Sequence, residues 1–337
     1  MKKRQATIKD IAKALKISVS TVSRALRDTY DVSQQTRALV LQKAEELRYR
    51  PNLNATGLVK RSTRKLGVVI PVITNYYYAT VITGMKDVAR ENGYSLLLYI
   101  TDDHFQEERE ILRSLPTHSL DGLLICLSSN TSDYGELFEL QQEDMPMVFF
   151  DRVPTEFASS KVVQDDLNGA YEATRHLIKM GYRRIAHITG SANLQLTQKR
   201  LEGYRKALDE FGMEFNPDWV IHSGFSQDYG QDDTEKLLSL PYPPDALFAV
   251  NDRKAVGALL ACKKRGIRIG PEFGVIGFTG DPVGELITPT LSTIVEPAYE
   301  IGRISCELLI KYLKKKPLHN EEVMLQGTLM ARESTQR

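Results

Sequence analysis

The sequence predicts an all-α head of about 50 residues followed by a larger α/β body of two similar lobes. Three observations carry this. Residues 1–65 hold 16 basic and 5 acidic side chains, a net of +11, whereas residues 66–337 hold 28 basic and 38 acidic, a net of −10. The first 50 residues space their apolar positions only as helices do. From residue 66 onward, short apolar runs alternate with amphipathic helical stretches, and the series restarts at Ile185. The composition is that of a globular chain, with 42% hydrophobic and 26% charged residues, which excludes a disordered chain or a coiled-coil rod. No apolar run nears the ~20 residues of a membrane span. Met1-Lys2-Lys3-Arg4 leads into no apolar stretch, so neither a signal peptide nor a membrane partner is expected and the location is read as cytoplasmic. Cys126, Cys262 and Cys306 lie far apart and the six histidines are scattered, so no disulfide framework, metal or cofactor is expected.

In the head, Ile8, Ile11, Ala12 and Leu15 fall at i, i+3, i+4 and i+7 on one helix face, behind Thr7 as N-cap with Asp10 in the first turn. Lys16-Ile17-Ser18 then makes a tight turn. A second helix over Ser20–Leu26 points Val22, Ala25 and Leu26 inward and leaves Val19, Ser20, Ser23 and Arg24 outside. Ser33 caps a third helix, Gln34 to Leu47, with Val40, Ala44 and Leu47 inward. This is a helix-turn-helix pattern. Its small polar outer face suits a major groove: hydroxyls bond base edges, Arg24 forks onto a guanine and Val19 packs on a thymine methyl. A generic three-helix bundle or a solvated basic arm is the plain alternative.

The runs Thr7-Ile8-Lys9-Asp10-Ile11-Ala12, Val19-Ser20-Thr21-Val22-Ser23-Arg24-Ala25-Leu26 and Tyr49-Arg50-Pro51-Asn52-Leu53-Asn54-Ala55 resemble those of the lactose-repressor (LacI) family of bacterial transcription regulators. The resemblance implies double-stranded DNA as partner, with residues 1–50 as the DNA-binding head. It places base contacts on Val19, Ser20 and Arg24. Backbone contacts fall on Thr7, Ser18, Thr21, Ser23, Thr36, Tyr49 and Asn52, where hydroxyls and amides set register on phosphates. Residues 51–65 read as a linker too short to be a stable helix alone, further weakened by Gly57. A flexible tether fits the same composition. The resemblance makes the linker a hinge helix that orders in the minor groove, with Ala55 near the groove floor and Leu58 as the wedge between base steps.

The body's expected strands are Leu66–Pro71, Ser95–Ile100, Gly122–Leu127 and Met147–Phe150, then Ile185–Thr189, Val220–Ser223, Ala246–Val250 and Gly274–Phe278, about five per lobe. Gly93, Gly181, Gly212 and Gly266 read as C-caps of the helices between them. Two such lobes imply a cleft fed by strand carboxyl ends. Those ends carry Asn75-Tyr76-Tyr77-Tyr78, Asp102-Asp103, Ser128-Ser129-Asn130, Asp151-Arg152, Asn251-Asp252 and Thr279-Gly280-Asp281. Carboxylates and amides bond hydroxyls while rings pack on a sugar's CH face, although any α/β protein has polar strand ends.

Over the body the resemblance implies a periplasmic-binding-protein-like fold. Its N-terminal lobe would be residues 66–165 with 294–323 and its C-terminal lobe 166–293 with 324–337, with a crossing near Pro289–Ile294. Effector contacts would fall on Tyr77, Tyr78, Asp151, Arg152, Arg200, Phe225, Asn251 and Thr279. Thr279 stands where sugar-binding members have aspartate, and Cys126 where some have a polar ligand group. Leu194 and Leu196 are apolar where purine-binding members are polar, which disfavours a nucleobase. A sugar or sugar acid is expected, with Arg152 and Arg200 permitting an anion.

Read as a whole, the chain is expected to be a homodimeric regulator, most simply a repressor, on a palindromic operator and in a bacterial nucleoid. Activation, control by a sugar phosphate, or control by a protein partner are alternatives within that class. A solute-binding protein is a remote one, opposed by the basic head. An enzyme is not expected, because Gly274-x-x-Gly277-x-x-Gly280 has neither Walker nor dinucleotide spacing and no nucleophile elbow is present.

Overall fold

The computed structural model describes residues 6–26, 32–49, 62–314 and 320–337. The chain divides into two compact units, residues 1–63 and 64–337. The expected hinge residues Asn52, Ala55 and Leu58 lie outside the described residues.

The first unit holds α1 (Ile8–Leu15), α2 (Val19–Leu26) and α3 (Gln34–Glu46). Asp10 closes the start of α1 by accepting from both the Thr7 amide (2.8 Å) and the Thr7 hydroxyl (2.7 Å). Lys16 ends α1 in the left-handed region, and Ile17 then donates to the Ala12 carbonyl, which makes the turn tight. Ser18 caps α2 by accepting from the Thr21 amide at 3.0 Å. Ser33 caps α3 through Thr36. Ile11, Val22 and Val40 are fully buried with Ala12, Ala25 and Ala44, and Ile8, Leu15, Ile17, Leu26, Val32 and Tyr49 surround them. Leu47, expected inside, is instead 37% exposed. The helix stops at Glu46 and the backbone turns through positive φ at Arg48, so Tyr49 takes the core place.

The second unit holds two α/β lobes. In chain order the first contributes β1 (Lys65–Ile70), α4 (Tyr76–Glu91), β2 (Ser95–Ile100), α5 (Phe105–Ser114), β3 (Gly122–Ile125), α6 (Gly135–Gln142), β4 (Met147–Phe150) and β5 (Ser160–Gln164). The second contributes α7 (Asp166–Lys179), β6 (Ile185–Thr189), α8 (Gln195–Glu210), β7 (Val220–His222), α9 (Gln227–Leu238), β8 (Ala246–Ala249), α10 (Asp252–Lys264), β9 (Gly274–Thr279), α11 (Val283–Leu286) and β10 (Ser292–Val295). The chain then returns as α12 (Ala298–Lys314) and β11 (Glu322–Leu325), and ends in lobe two with β12 (Thr328–Met330).

Each lobe is a six-stranded sheet, one strand more than the sequence reading gave. The first runs β11-β5-β4-β3-β1-β2, all parallel, and the second β12-β10-β9-β8-β6-β7, with only β12 antiparallel. The strands that the reading did not name are β5, β10, β11 and β12, whose short segments carry no continuous apolar signal. Both sheets are covered on two faces, so the central strands are buried along nearly their whole length and are mostly apolar. Helices α4 and α12 approach so closely that a Cβ on Gly302 would fall 1.9 Å from the Val81 carbonyl oxygen, and only glycine fits there.

The strand pairing moves two lobe boundaries. Ile294 pairs with Phe278 and Leu329 inside the second sheet, so a division at 293/294 would cut β10. Met324 pairs with Val163 in the first sheet, so a division at 323/324 would cut β11. The three crossings therefore lie at Asp165, at Glu296-Pro297 and at Gln326-Gly327. The run at 289–294 that was read as a crossing leads instead into β10.

Candidate nucleic-acid interface and ligand cleft

On the head, Val19, Ser20 and Arg24 are exposed on one face of α2, opposite its buried Val22 and Ala25. The Ser18 hydroxyl lies 2.7 Å from those of both Ser20 and Thr21, so these hydroxyls form a single local network at the start of the helix. Thr21 and Ser23 are half-buried flanks. Thr36 shares a 2.9 Å hydroxyl contact with Ser33 at the start of α3. Thr7 is committed to Asp10, and the Tyr49 ring packs on the core, where burial pushes its hydroxyl pKa up. Helix N-termini carrying hydroxyls suit phosphate oxygens. The exposed face of α2 suits base edges.

Within the body, the residues expected in the cleft converge where the lobes meet. Tyr78, on the first turn of α4, donates its hydroxyl to Asp151 at 2.9 Å, and the Cys126 thiol reaches the same oxygen at 3.4 Å. Tyr77 stands edge-on to Tyr78. Burial holds both phenols and the Cys126 thiol protonated, which makes them hydrogen-bond donors or apolar surface, never anions. Arg152 donates to Asp103 at 2.6 Å, and its guanidinium lies 5.1 Å from the centre of the Phe225 ring, which belongs to the other lobe. Asn251 caps α10 through the Lys254 amide and donates its Nδ2 to the Phe225 carbonyl. A Cβ on Gly190 would fall 2.3 Å from the Phe225 Cζ, so the ring position depends on that glycine.

Arg200 forms the centre of the junction. Its Nε donates to Asp166 (2.7 Å), its Nη1 to the Val250 carbonyl (2.6 Å) and its Nη2 to Glu296 (2.9 Å), while its plane stacks 3.6 Å from the Phe278 ring centre. Burial disfavours the guanidinium charge, but Asp166 and Glu296 outweigh it and push its pKa above the ordinary arginine value. Arg200 therefore ties the first crossing to the second. Thr279, at the end of β9, bonds Glu296. The sequence reading named Asp103 only among the strand ends that feed the cleft, and it omitted Asp166 and Glu296. Glu296 had one available signal, as the single acid breaking an apolar run before Pro297. Asp165 takes the cap of α7, accepting from the Asn168 amide, and so leaves Asp166 to Arg200.

Burial pushes the Glu296 carboxyl up to about 8; Arg200 offsets this only in part, and Asp151 and Asp166 add to it. Burial likewise pushes Asp166 up to about 6, against Arg200. Both values exceed the ~4 of an unfolded carboxyl, so between those limits the folded body binds more protons than the unfolded chain and loses stability as pH rises. Melting temperatures from about pH 5 to about pH 9 should show Glu296→Gln flattening the upper part of that decline. Parallel curves for the two proteins would remove Glu296 from the account.

The buried polar atoms without a hydrogen-bond partner include Arg152 Nε, both amide atoms of Gln164, Thr189 Oγ1 and Thr197 Oγ1, all on elements that reach the junction. Native interiors leave few such groups, and a polar ligand or water in the cleft would satisfy them.

Residues 7–52 match the model of bacterial regulatory proteins of the lacI family, and residues 63–333 match that of periplasmic binding proteins and the sugar-binding domain of the LacI family. The chain belongs to the LacI family. This regulator is 34% identical to the ribose operon repressor of Halalkalibacterium halodurans, over 98% of its own length and 97% of the relative's. It also resembles the transcriptional regulator CelR in its complex with cellobiose (TM-score 0.74, 27% identity, 98% and 99% of the two chains covered). The fold of the lac repressor dimer bound to operator and an anti-inducer matches at a TM-score of 0.88 with 22% identity, covering 99% and 100%. The regulator is thus a DNA-binding transcription factor with a sugar-binding type of body. Among its described residues no helix is long and apolar enough to cross a membrane.

Proposed function

We propose that this LacI-family regulator is a homodimeric repressor of a palindromic operator, released or engaged by an uncharged sugar in the interlobe cleft. It has no catalytic role, and its place on the nucleoid follows from DNA binding. Electrostatics carries the choice of effector. Arg152 is paired with Asp103, and Arg200 is held between Asp166 and Glu296, of which Asp166 alone balances its charge near neutral pH. Asp151 makes no ion pair among the described residues and adds negative charge to the same junction. Neither guanidinium is left to a carboxylate or phosphate, which weighs against the sugar acid and sugar phosphate that the two arginines suggested in sequence. Hydroxyls suit the carboxylate-rich walls, and the Phe225 ring suits a sugar's CH face. The ribose operon repressor and the CelR–cellobiose complex among the similar proteins agree with a neutral sugar.

A thermal-shift screen of the full chain tests the effector class. D-ribose or cellobiose is expected to raise the melting temperature. Ribose 5-phosphate and glucuronate are expected to leave it unchanged; stabilisation by the acids over their neutral counterparts refutes this reading.

For the dimer, β2 is an edge strand with Leu97, Leu98 and Ile100 exposed. Such an apolar edge is a liability unless a second copy covers it. Sedimentation of Leu98→Arg is expected to read a monomer at concentrations where the parent protein is a dimer. An unchanged dimer would move the interface elsewhere.

A further inference from the structure

Beneath the Phe225 loop lies a charged cluster that the cleft contacts do not use. Lys254, on the first turn of α10, has no exposed surface. Its Nζ donates to the Thr189 carbonyl (2.8 Å), the Ser223 hydroxyl (2.7 Å) and Asp233 Oδ2 (2.8 Å). Asp233, on α9, is also fully buried, and the Ser223 hydroxyl donates its own proton to the same Oδ2. All three ammonium protons are therefore spent. Lys254 has none left for a ligand, and the Ser223 hydroxyl is committed to the same Asp233 oxygen.

The placement is costly. Burial disfavours the ammonium and lowers its pKa, with Asp233 opposing the shift. The positive end of α10 disfavours it further. An apolar side chain of the same length would fill the space at less cost. What the ammonium adds is direction. It joins the end of β6, the residue after β7, and α9 to the start of α10, at the point where the chain leaves β7 to form the Phe225 turn. Phe225 follows Ser223 by two residues, its carbonyl is held by Asn251, and its ring rests over Gly190, the residue after Thr189.

We propose that Lys254 is the positioning residue of the Phe225 loop, its ammonium holding Ser223 so that the ring faces the cleft and Arg152 of the opposite lobe. The functional value of that position rests on the cleft being the effector site; the positioning itself does not. Loops tied by buried contacts resist proteolysis, so the test is chymotryptic cleavage after Phe225 in the full chain, with fragments assigned by mass.

Lys254→Met is expected to speed that cut at least about 10-fold relative to cuts at the other aromatic residues of lobe two. The double variant Asp233→Leu with Lys254→Met, which leaves no unpaired buried charge because Lys236, the other partner of Asp233, is exposed, is expected to regain melting temperature yet keep the fast cut. Should Lys254→Met fail to fold, Ser223→Ala, which removes only the hydroxyl link, is expected to give the same selective cut. Cleavage that rises uniformly across lobe two, or that is unchanged in the double variant and in Ser223→Ala, overturns the proposal. A D-ribose titration then separates the two readings. If Lys254→Met accelerates the cut while the parent protein ignores D-ribose, the positioning stands and the sugar class fails.

Discussion

Arg200→Ala is expected to unfold or strongly destabilise the body and to abolish any response to effector. The guanidinium is buried between Asp166 and Glu296, and removing it leaves two carboxylates facing each other with no cation between them. Breaking one side of a buried ion pair costs about 3–5 kcal/mol, and the lost stacking on Phe278 adds to that. The cost has a signature. At low pH the two acids are protonated and need no counter-charge, so the variant should recover most of its stability towards about pH 5. A urea titration of parent and variant at about pH 5 and about pH 8 reads this directly. A loss of equal size at both pH values would mean that Arg200 acts through packing alone. Because Asp166 and Glu296 belong to two different crossings, the same substitution cuts the link between the strands on which the lobes turn, and operator binding should stop responding to any sugar that stabilises the parent protein.

Arg24→Ala should reduce operator affinity about 5- to 150-fold, the loss of one bidentate base contact, while binding to random duplex changes far less. Arg24 stands on the exposed face of α2, and the core beneath it consists of Val22 and Ala25. Truncating it therefore removes a contact without opening the head. Fluorescence anisotropy on operator and scrambled duplexes gives the two affinities. Equal losses on both would place Arg24 on a phosphate.

Much of this was legible in the sequence, for identifiable reasons. The two-sided burial of β1, β3, β4, β6, β8 and β9 writes short, mostly apolar runs, so those strands could be read directly. Gly93, Gly181, Gly212 and Gly266 end helices at positive φ, as their positions after periodic runs required. Strands β5, β11 and β12 could not be read this way. β5 alternates buried and half-buried positions, and β11 and β12 half-buried and exposed ones, over five residues or fewer; the place of β11 is set by pairing with β5 more than 100 residues away, and that of β12 by antiparallel pairing with β10. The same limit hid Glu296. Its role depends on β10 belonging to the second sheet, a fact of register that no local pattern states. Leu47 failed for the opposite reason, because helical periodicity was extended one residue beyond the point where the chain turns and Tyr49 replaces it. In the cleft, Tyr78, Asp151, Arg152 and Asn251 were expected as strand-end residue types suited to sugars, and Arg200 and Phe225 through the family resemblance alone; the charge balance around them depends on partners visible only in the fold.

The most direct test is an affinity ratio. The full chain is titrated onto a two-fold symmetric duplex recovered from a random pool, and onto scrambled DNA of the same length, across a range of salt concentrations. The basic head and a paired reading of half-sites predict at least about 1,000-fold tighter binding to the symmetric duplex, with affinity for both falling steeply as salt rises. Equal affinity for the two duplexes at every salt concentration, with and without a stabilising sugar, would contradict it.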